Sequence, residues 1–130
     1  MVAVRYYSKS GNTKLLAEAI AKGAGVAPIS VDEDGAQITE DVDVLFIGGA
    51  LYAYGLDKHL NKFLSEIDGS KIKKAVVFST SWISKHSIDL IKKALKDKGI
   101  EVAEETCYAK NKPNEKRIAE AEAFAKSFLN

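Results

Sequence analysis

Apolar runs and amphipathic segments alternate along the whole chain, and glycines stand at many of the boundaries between them. Five apolar runs predict strands, at residues 2–7, 26–31, 42–47, 75–78 and 100–108. The run 42–47 is apolar at nearly every position, which is typical of a strand that is buried on both faces. The run 100–108 mixes polar and apolar residues and predicts a strand at the edge of the sheet.

Apolar residues that recur every three or four positions predict helices between these runs. The predicted helices cover residues 12–22, 57–67, 88–98 and a last segment that follows Pro113, and Asp57 can cap the second of them. Gly23 and Gly25 are predicted to end the first helix, and residues 32–41 are weakly patterned and predict a loop. Strands that alternate with helices at this spacing predict a parallel sheet with helices on both faces. In such a sheet, ligands bind at the carboxyl ends of the strands.

The composition limits the class of protein. A chain of 130 residues has room for one domain, which we expect to cover residues 1–130. Its 46% hydrophobic and 28% charged residues are typical of a globular protein, and its net charge of +1 argues against a dedicated nucleic-acid binder. One cysteine and two histidines leave no internal disulfide and argue against a zinc site. The sequence shows neither a signal-peptide pattern nor an apolar stretch that could span a bilayer, so we expect a cytoplasmic protein.

The loop between the first strand and the first helix is rich in small polar residues. Its candidate binding residues are Ser8, Lys9, Ser10, Gly11, Asn12 and Thr13. A turn that enters a helix points free backbone N–H groups at one spot, and the helix dipole favours an anion there. Gly11 has no Cβ to block a ligand, and the neighbouring side chains add neutral donors. The pattern predicts a phosphate site, and the alternative is a plain helix cap of the same composition.

Two further loops follow buried strands and meet the same edge of the predicted sheet. After the strand 42–47, the candidate binding residues are Ala50, Leu51, Tyr52, Ala53, Tyr54 and Gly55. After the strand 75–78, they are Ser79, Thr80, Ser81 and Trp82. Small residues let a flat ring approach the backbone, and aromatic side chains offer faces for stacking. The alternative is that the tyrosines and the tryptophan pack onto helices or into the core.

The first loop closely resembles the phosphate-binding loop of flavodoxins. The positions that match the family's pattern are, in order, Tyr6, Ser8, Gly11, Thr13, Ala17 and Ile20. The resemblance implies an α/β, flavodoxin-like, doubly wound sheet of five parallel strands in the order 2-1-3-4-5, and noncovalent binding of FMN. Arg5 departs from the pattern because the family's first strand is apolar. The resemblance therefore does not predict how the first strand packs around Arg5.

The resemblance implies that the two later loops hold the two sides of the isoalloxazine ring. Flavodoxins often have an aromatic residue followed by glycine after the third strand, and this chain offers either Tyr52–Ala53 or Tyr54–Gly55. The second choice, with Gly49 and Ala50, is also similar to the flavodoxin-like protoporphyrinogen dehydrogenases. After the fourth strand, Trp82 takes the place of an aromatic residue that stacks on the ring.

These features predict an FMN-binding electron-transfer protein whose partners are a reductase and an acceptor protein. A second hypothesis is an FMN-dependent reductase or dehydrogenase that acts on a quinone, a tetrapyrrole or a similar planar substrate. A third is an interaction module on the same fold that does not bind FMN. No residue is predicted to be a catalytic acid, base or nucleophile: His59 and His86 are predicted to lie on the surface, and Cys107 to be a buried, inert thiol.

Overall fold

A computed structural model describes residues 1–52, 55–81 and 85–129. The strands in these ranges are β1 Val2–Tyr6, β2 Pro28–Ser30, β3 Val42–Gly49, β4 Leu51–Tyr52, β5 Gly55–Leu56, β6 Ile72–Thr80, β7 Glu101–Val102 and β8 Cys107–Ala109. The helices are α1 Asn12–Ala24, α2 Lys58–Glu66, α3 His86–Asp97 and α4 Glu115–Lys126. A single 3₁₀ turn covers Gly69–Lys71. Within the described residues, none of the helices has the length and apolar character needed to cross a membrane.

The central sheet is parallel, and its strands lie in the order β2-β1-β3-β6-β7, with β8 also paired to β6. Because β7 and β8 together form the fifth position, the predicted order 2-1-3-4-5 is confirmed. The short strands β4 and β5 form a separate antiparallel pair, which the sequence had indicated only as a loop.

The predicted edge strand 100–108 is wrong as a continuous element. Val102 pairs with Ala75 and Cys107 pairs with Phe78, so the edge uses more residues than β6 over the same distance. The surplus contains the exposed Glu104. The edge is therefore split in two, and β8 resumes the pairing near the carboxyl end of β6.

Alternate residues of the buried strands face two separate layers of helices. On β3, Leu45 and Ile47 pack with residues of α2 and α3, whereas Phe46 packs with residues of α1 and α4. On β6, Val77 packs with residues of α2 and α3, and Phe78 packs with residues of α1 and α4. The near-continuous apolar run of β3 therefore fills both core layers, as the sequence predicted.

The two glycines near the end of the first helix have different roles, and only one of them ends it. Gly25 is the C-cap, with φ of 73°. Gly23 lies inside α1, where a Cβ atom would be 2.2 Å from the backbone carbonyl oxygen of Glu122 in α4. Gly23 thus permits the close approach of α1 and α4, a role that the prediction of a helix end missed.

Arg5 is buried in β1 and ties the weakly patterned loop to the sheet. Its Nε donates to the carbonyl oxygen of Ala36 at 2.6 Å, and a second guanidinium nitrogen donates to the carbonyl oxygen of Val4 at 3.1 Å. Burial lowers the pKa of Arg5, and the negative charge of Glu33 partly opposes that shift. The departure from an apolar strand is accommodated because backbone carbonyls accept from the guanidinium.

Candidate functional site

The loop from β1 to α1 presents the N-terminus of the helix at the carboxyl edge of the sheet. Gly11 occupies the N-cap position with φ of 96°, a conformation that favours glycine. The first turn of α1 carries no acidic side chain. The backbone and the helix dipole therefore favour an anion at this position.

Two serine hydroxyls hold the loop in shape. Ser8 Oγ accepts from the Gly11 N–H at 3.0 Å, and Ser10 Oγ accepts from the Asn12 N–H at 3.4 Å. A hydroxyl that accepts one hydrogen bond keeps its own hydrogen for another acceptor. Ser8 and Ser10 can therefore organise the loop and still donate to a bound anion.

Thr13 connects this loop to the end of β6. Its Oγ1 is 2.5 Å from Thr80 Oγ1, and the exposed fractions of the two residues are only 1% and 3%. Two hydroxyls that share one hydrogen bond still hold a second hydrogen that can be donated. The first and third predicted loops are thus in direct contact through hydrogen-bonding groups.

A cleft of about 230 Å³ opens between the predicted loops. Its lining residues are Ser10, Asn12, Ala50, Leu51, Tyr52, Thr80, Ser81 and Asn111. All of these except Asn111 were candidates in the sequence, so the structure brings all three loops together in one site. The candidates Ala53, Tyr54 and Trp82 lie outside the described residues.

The remaining predicted residues surround the cleft in different ways. The Lys9 ammonium lies 5.1 Å from the centroid of the Tyr52 ring, which joins the first loop to the second. Tyr52 pairs with Gly55 in the β4–β5 hairpin, and Gly55 has φ of 106°. This positive φ favours glycine, so the backbone conformation explains why Gly55 is a glycine.

Within the protein, Ser79 is held through its hydroxyl and Ser81 through its backbone. Ser79 is fully buried; its hydroxyl donates to the carbonyl oxygen of Gly49 at 2.6 Å and is 2.6 Å from Ser87 Oγ on α3. The Ser81 N–H donates to the carbonyl oxygen of Ala109, and its own carbonyl accepts from the Tyr108 hydroxyl. These bonds fix the end of β6 against β3 and α3, and the residue that follows it against β8.

The predicted helix cap Asp57 belongs to a cluster beside the first two loops that the sequence did not reveal as a whole. The buried Asp57 is the N-cap of α2: its Oδ2 accepts from the His59 N–H at 2.7 Å and lies 2.8 Å from His59 Nδ1. The His59 ring stacks on Tyr7 with centroids 4.7 Å apart. His59 lies at the surface, as predicted, with its side chain 39% exposed, but its ring also links the start of α2 to the residue before Ser8.

The electrostatics of this cluster favour a charged Asp57. Burial by itself raises the pKa of its carboxyl, but the hydrogen bonds from the His59 backbone and ring, with the charges of His59 and Lys9, outweigh burial and lower it. The Asp57 carboxyl is thus held in its charged form at the N-terminus of α2.

Asn111 also lines the cleft without having been predicted. It follows β8 and adopts φ of 61°, a left-handed conformation that asparagine tolerates better than most residues. The signal was present in the sequence, since the segment Lys110–Asn114 is rich in turn-forming residues and follows the fifth predicted strand at the same edge of the sheet.

Comparison with known proteins identifies the family of this chain. The model of the flavodoxin domain family matches residues 3–121. An uncharacterized protein of Methanocaldococcus jannaschii is 30% identical over an alignment of 136 positions, which spans 91% of this chain and 90% of that protein.

Solved structures agree with this result at the level of the fold. A flavodoxin from the domain Archaea superposes with a TM-score of 0.86 at 24% identity, over 97% of this chain and 94% of that one. The oxidised flavodoxin 1 of Bacillus cereus gives a TM-score of 0.82 at 23% identity, over 98% of this chain and 96% of that one.

Proposed function

Because the chain belongs to the flavodoxin domain family, we propose that it binds FMN noncovalently in this cleft and carries electrons between redox proteins. The observation that carries the proposal is the N-terminus of α1, entered through Gly11 at φ of 96° and surrounded by hydroxyl groups. When bound, FMN supplies the redox chemistry, and the protein binds the cofactor, orients it and controls its access to water.

The first loop suits the phosphate of FMN. Backbone N–H groups of the first turn, with Ser8, Ser10, Asn12 and Thr13, provide neutral donors to a doubly charged group. Hydrogen bonds to a charged acceptor are about twice as strong as neutral ones. Lys9 adds a positive charge nearby, but the group of backbone N–H donors at the start of α1 forms without it.

The cleft between the hairpin and the loop after β6 suits the ring. Ala50 and Leu51 offer small and apolar surface on one side, Thr80 and Ser81 offer hydroxyls on the other, and Asn111 adds an amide at the mouth. Stacking of the ring on Tyr54 or Trp82 remains a prediction from the sequence, because both residues lie outside the described ranges.

The side chains around the cleft favour a carrier over a catalyst that moves protons. In the described part of the lining, the polar side chains are hydroxyls and amides, without a carboxylate, thiol or imidazole. Burial raises the pKa of the Cys107 thiol to about 11, which keeps it protonated and unreactive at neutral pH. The protein therefore contributes binding and orientation, and the flavin contributes the chemistry.

An absorbance spectrum of the purified protein before and after addition of FMN tests this proposal. We expect saturable changes in the flavin bands and quenched flavin fluorescence at a ratio of one FMN per chain. Unchanged flavin spectra at high protein concentration would refute FMN binding and leave an interaction module on the same fold as the better account.

A second candidate function is an FMN-dependent reductase that acts on a planar substrate. It is favoured by the second loop, in which Gly49, Ala50 and Gly55 keep the spacing of the flavodoxin-like protoporphyrinogen dehydrogenases and Gly55 adopts a positive φ. Steady-state turnover of FMN-loaded protein with a soluble quinone and a chemical reductant separates the two. Saturation kinetics in the quinone would support the enzyme, and second-order transfer without saturation would support the carrier.

A further inference from the structure

The sequence segments around the cleft are more positively charged than the chain as a whole. The net charge is +1, yet the four sequence segments whose described residues reach this edge, residues 7–12, 50–56, 81–86 and 110–114, contain no Asp or Glu. They contain the lysines Lys9, Lys85, Lys110 and Lys112, all of them exposed. We call these four lysines the basic rim.

Contacts in the structure place the basic rim at the cleft. Lys9 lies over Tyr52, which lines the cleft. Lys85 lies 5.2 Å from the centroid of the Tyr108 ring, whose hydroxyl donates to the Ser81 carbonyl in the cleft wall. Lys110 and Lys112 flank Asn111, which is itself a lining residue.

The four lysines outnumber the exposed carboxylates that adjoin these segments. Asp57 is buried and bonded to His59. Asp89 is exposed and lies 3.9 Å from His86 in the first turn of α3, and Glu115, which directly follows the segment 110–114, is exposed as well. Asp32 and Glu33 follow β2, at the opposite side of the sheet from β8. The chain is therefore near neutral as a whole but positive around the cleft.

We propose that the basic rim docks an acidic surface patch of a protein redox partner, which brings that partner to the open side of the cleft. This proposal rests on the proposed function, since the partner exchanges electrons with bound FMN. Complementary charges guide two proteins into register and raise their association rate by factors of about 10 to 1,000 at low salt.

The observations favour a protein over a lipid surface or a nucleic acid. In the described part of the chain, the large apolar side chains that are exposed are Met1 and Leu129, which precede β1 and follow α4. A membrane-binding face normally adds apolar side chains to its lysines. A dedicated nucleic-acid binder normally carries a much larger positive charge than +1.

The test uses the full chain loaded with FMN and two forms of one probe protein. Native cytochrome c is basic, and succinylation of its lysines makes it acidic without changing the haem group. Binding to each form is measured at ionic strengths of about 10 mM and 500 mM, because the Debye length falls from about 30 Å to a few ångströms over this range. Electron transfer is followed after reduction by dithionite and its removal: each haem iron(III) that becomes iron(II) takes one electron from the reduced flavin.

Two triple variants change the charge equally at different places. The rim variant is Lys85→Glu, Lys110→Glu and Lys112→Glu, which leaves the candidate FMN ligand Lys9 in place. The control variant is Lys73→Glu, Lys93→Glu and Lys96→Glu, at exposed positions near the start of β6 and the end of α3, away from the cleft.

At low salt we expect the wild type and the control variant to bind the succinylated form at least about tenfold more tightly than the native form. We expect them to reduce the succinylated form at least about tenfold faster. The rim variant should reverse that order, and high salt should abolish it. Equal affinities and reduction rates of the wild type for the two cytochromes would overturn the proposal. An unchanged preference for the succinylated form in the rim variant would overturn it as well.

Two further arms compare the protein partner with a membrane and a nucleic acid, and measure cofactor binding by itself. Phosphatidylserine vesicles or duplex DNA that bind more tightly than succinylated cytochrome c, with the same dependence on the rim lysines, would overturn the proposal in favour of a membrane or a nucleic acid. Flavin fluorescence reports FMN binding separately. A chain that keeps the charge preference without binding FMN would refute the proposed function and the assignment of a redox partner, but leave the charged surface in place.

Discussion

Gly55 is a residue whose backbone conformation can be tested apart from its packing. It has φ of 106°, and a Cβ atom added to it would have no atom within 4 Å. Gly55→Ala should lower the free energy of unfolding by about 1–2 kcal/mol, because only the backbone strain changes. Gly35, with φ of 80° and equally open surroundings, is a matched control in a loop away from the cleft.

Urea unfolding and FMN titration of both variants distinguish stability from binding. We expect similar losses of stability in Gly55→Ala and Gly35→Ala, and a weaker FMN complex in Gly55→Ala alone. Equal FMN affinity in the two variants would mean that the β4–β5 hairpin does not contact the cofactor.

Asp57 provides a test that depends on pH. Its folded-state pKa is lowered, so its charge stabilises the fold fully above the unfolded pKa of about 3.9, and this contribution is lost as the pH falls through the lower folded value. Asp57→Asn keeps a good N-cap acceptor, whereas Asp57→Ala also loses the cap, which is worth about 1 kcal/mol.

Chemical unfolding between pH 7 and pH 3 checks this account. At pH 7 the order of stability should be wild type, then Asp57→Asn, then Asp57→Ala, and the gap between wild type and Asp57→Asn should narrow below about pH 4. A gap that is the same at pH 3 and pH 7 would show that the charge of Asp57 makes no contribution.

At the scale of the elements, the packing of α1 against α4 depends on the close contact between Gly23 and the backbone of Glu122. Alanine there would gain about 1 kcal/mol of helix propensity, but its Cβ would lie 2.2 Å from a backbone oxygen of α4, and overpacking costs about 1–3 kcal/mol. Because backbone cannot rotate away, we expect a net loss of stability. Amide hydrogen exchange should show faster exchange along α4 in Gly23→Ala but not in Gly25→Ala, which changes only the C-cap. Unchanged protection of α4 in Gly23→Ala would contradict the close contact.

The elements that the sequence predicted well are those whose pattern reflects burial. The strand 42–47 and the helix that begins after Asp57 appear as predicted because apolar periodicity follows directly from the core that they fill. The edge strand was less predictable, since its interruption depends on register against β6. Gly23 was misassigned because a glycine near a helix end has the same local appearance whether it caps the helix or faces a neighbour.

The same distinction applies to the site. The phosphate loop was recognisable because its chemistry is local: hydroxyls, Gly11 and a helix start are contiguous in the sequence. Asn111 and the pair of Asp57 and His59 were missed because each acts through residues that are distant along the chain, the cleft wall in one case and Tyr7 in the other.

At the scale of the whole molecule, the cleft lies where the strand order reverses. The chain passes from β1 to β2 on one side and then to β3 on the other, so the loops after β1 and β3 diverge and leave a crevice at the carboxyl edge. The helix dipole of α1 and the basic rim both make this edge attractive to negative charge. The fold, and not any single residue, therefore sets where the anionic cofactor and the acidic partner would meet.

Titration calorimetry of FMN and riboflavin is the measurement that tests the phosphate loop most directly, because the two ligands differ only in the phosphate. We expect the wild type to bind FMN at least a hundredfold more tightly than riboflavin. The double variant Ser10→Ala, Thr13→Ala should lose about 3 kcal/mol, or roughly a hundredfold, for FMN and little for riboflavin, since two donors to a charged group are removed. Equal affinities of the wild type for FMN and riboflavin would contradict a phosphate site at the start of α1, and with it the central claim.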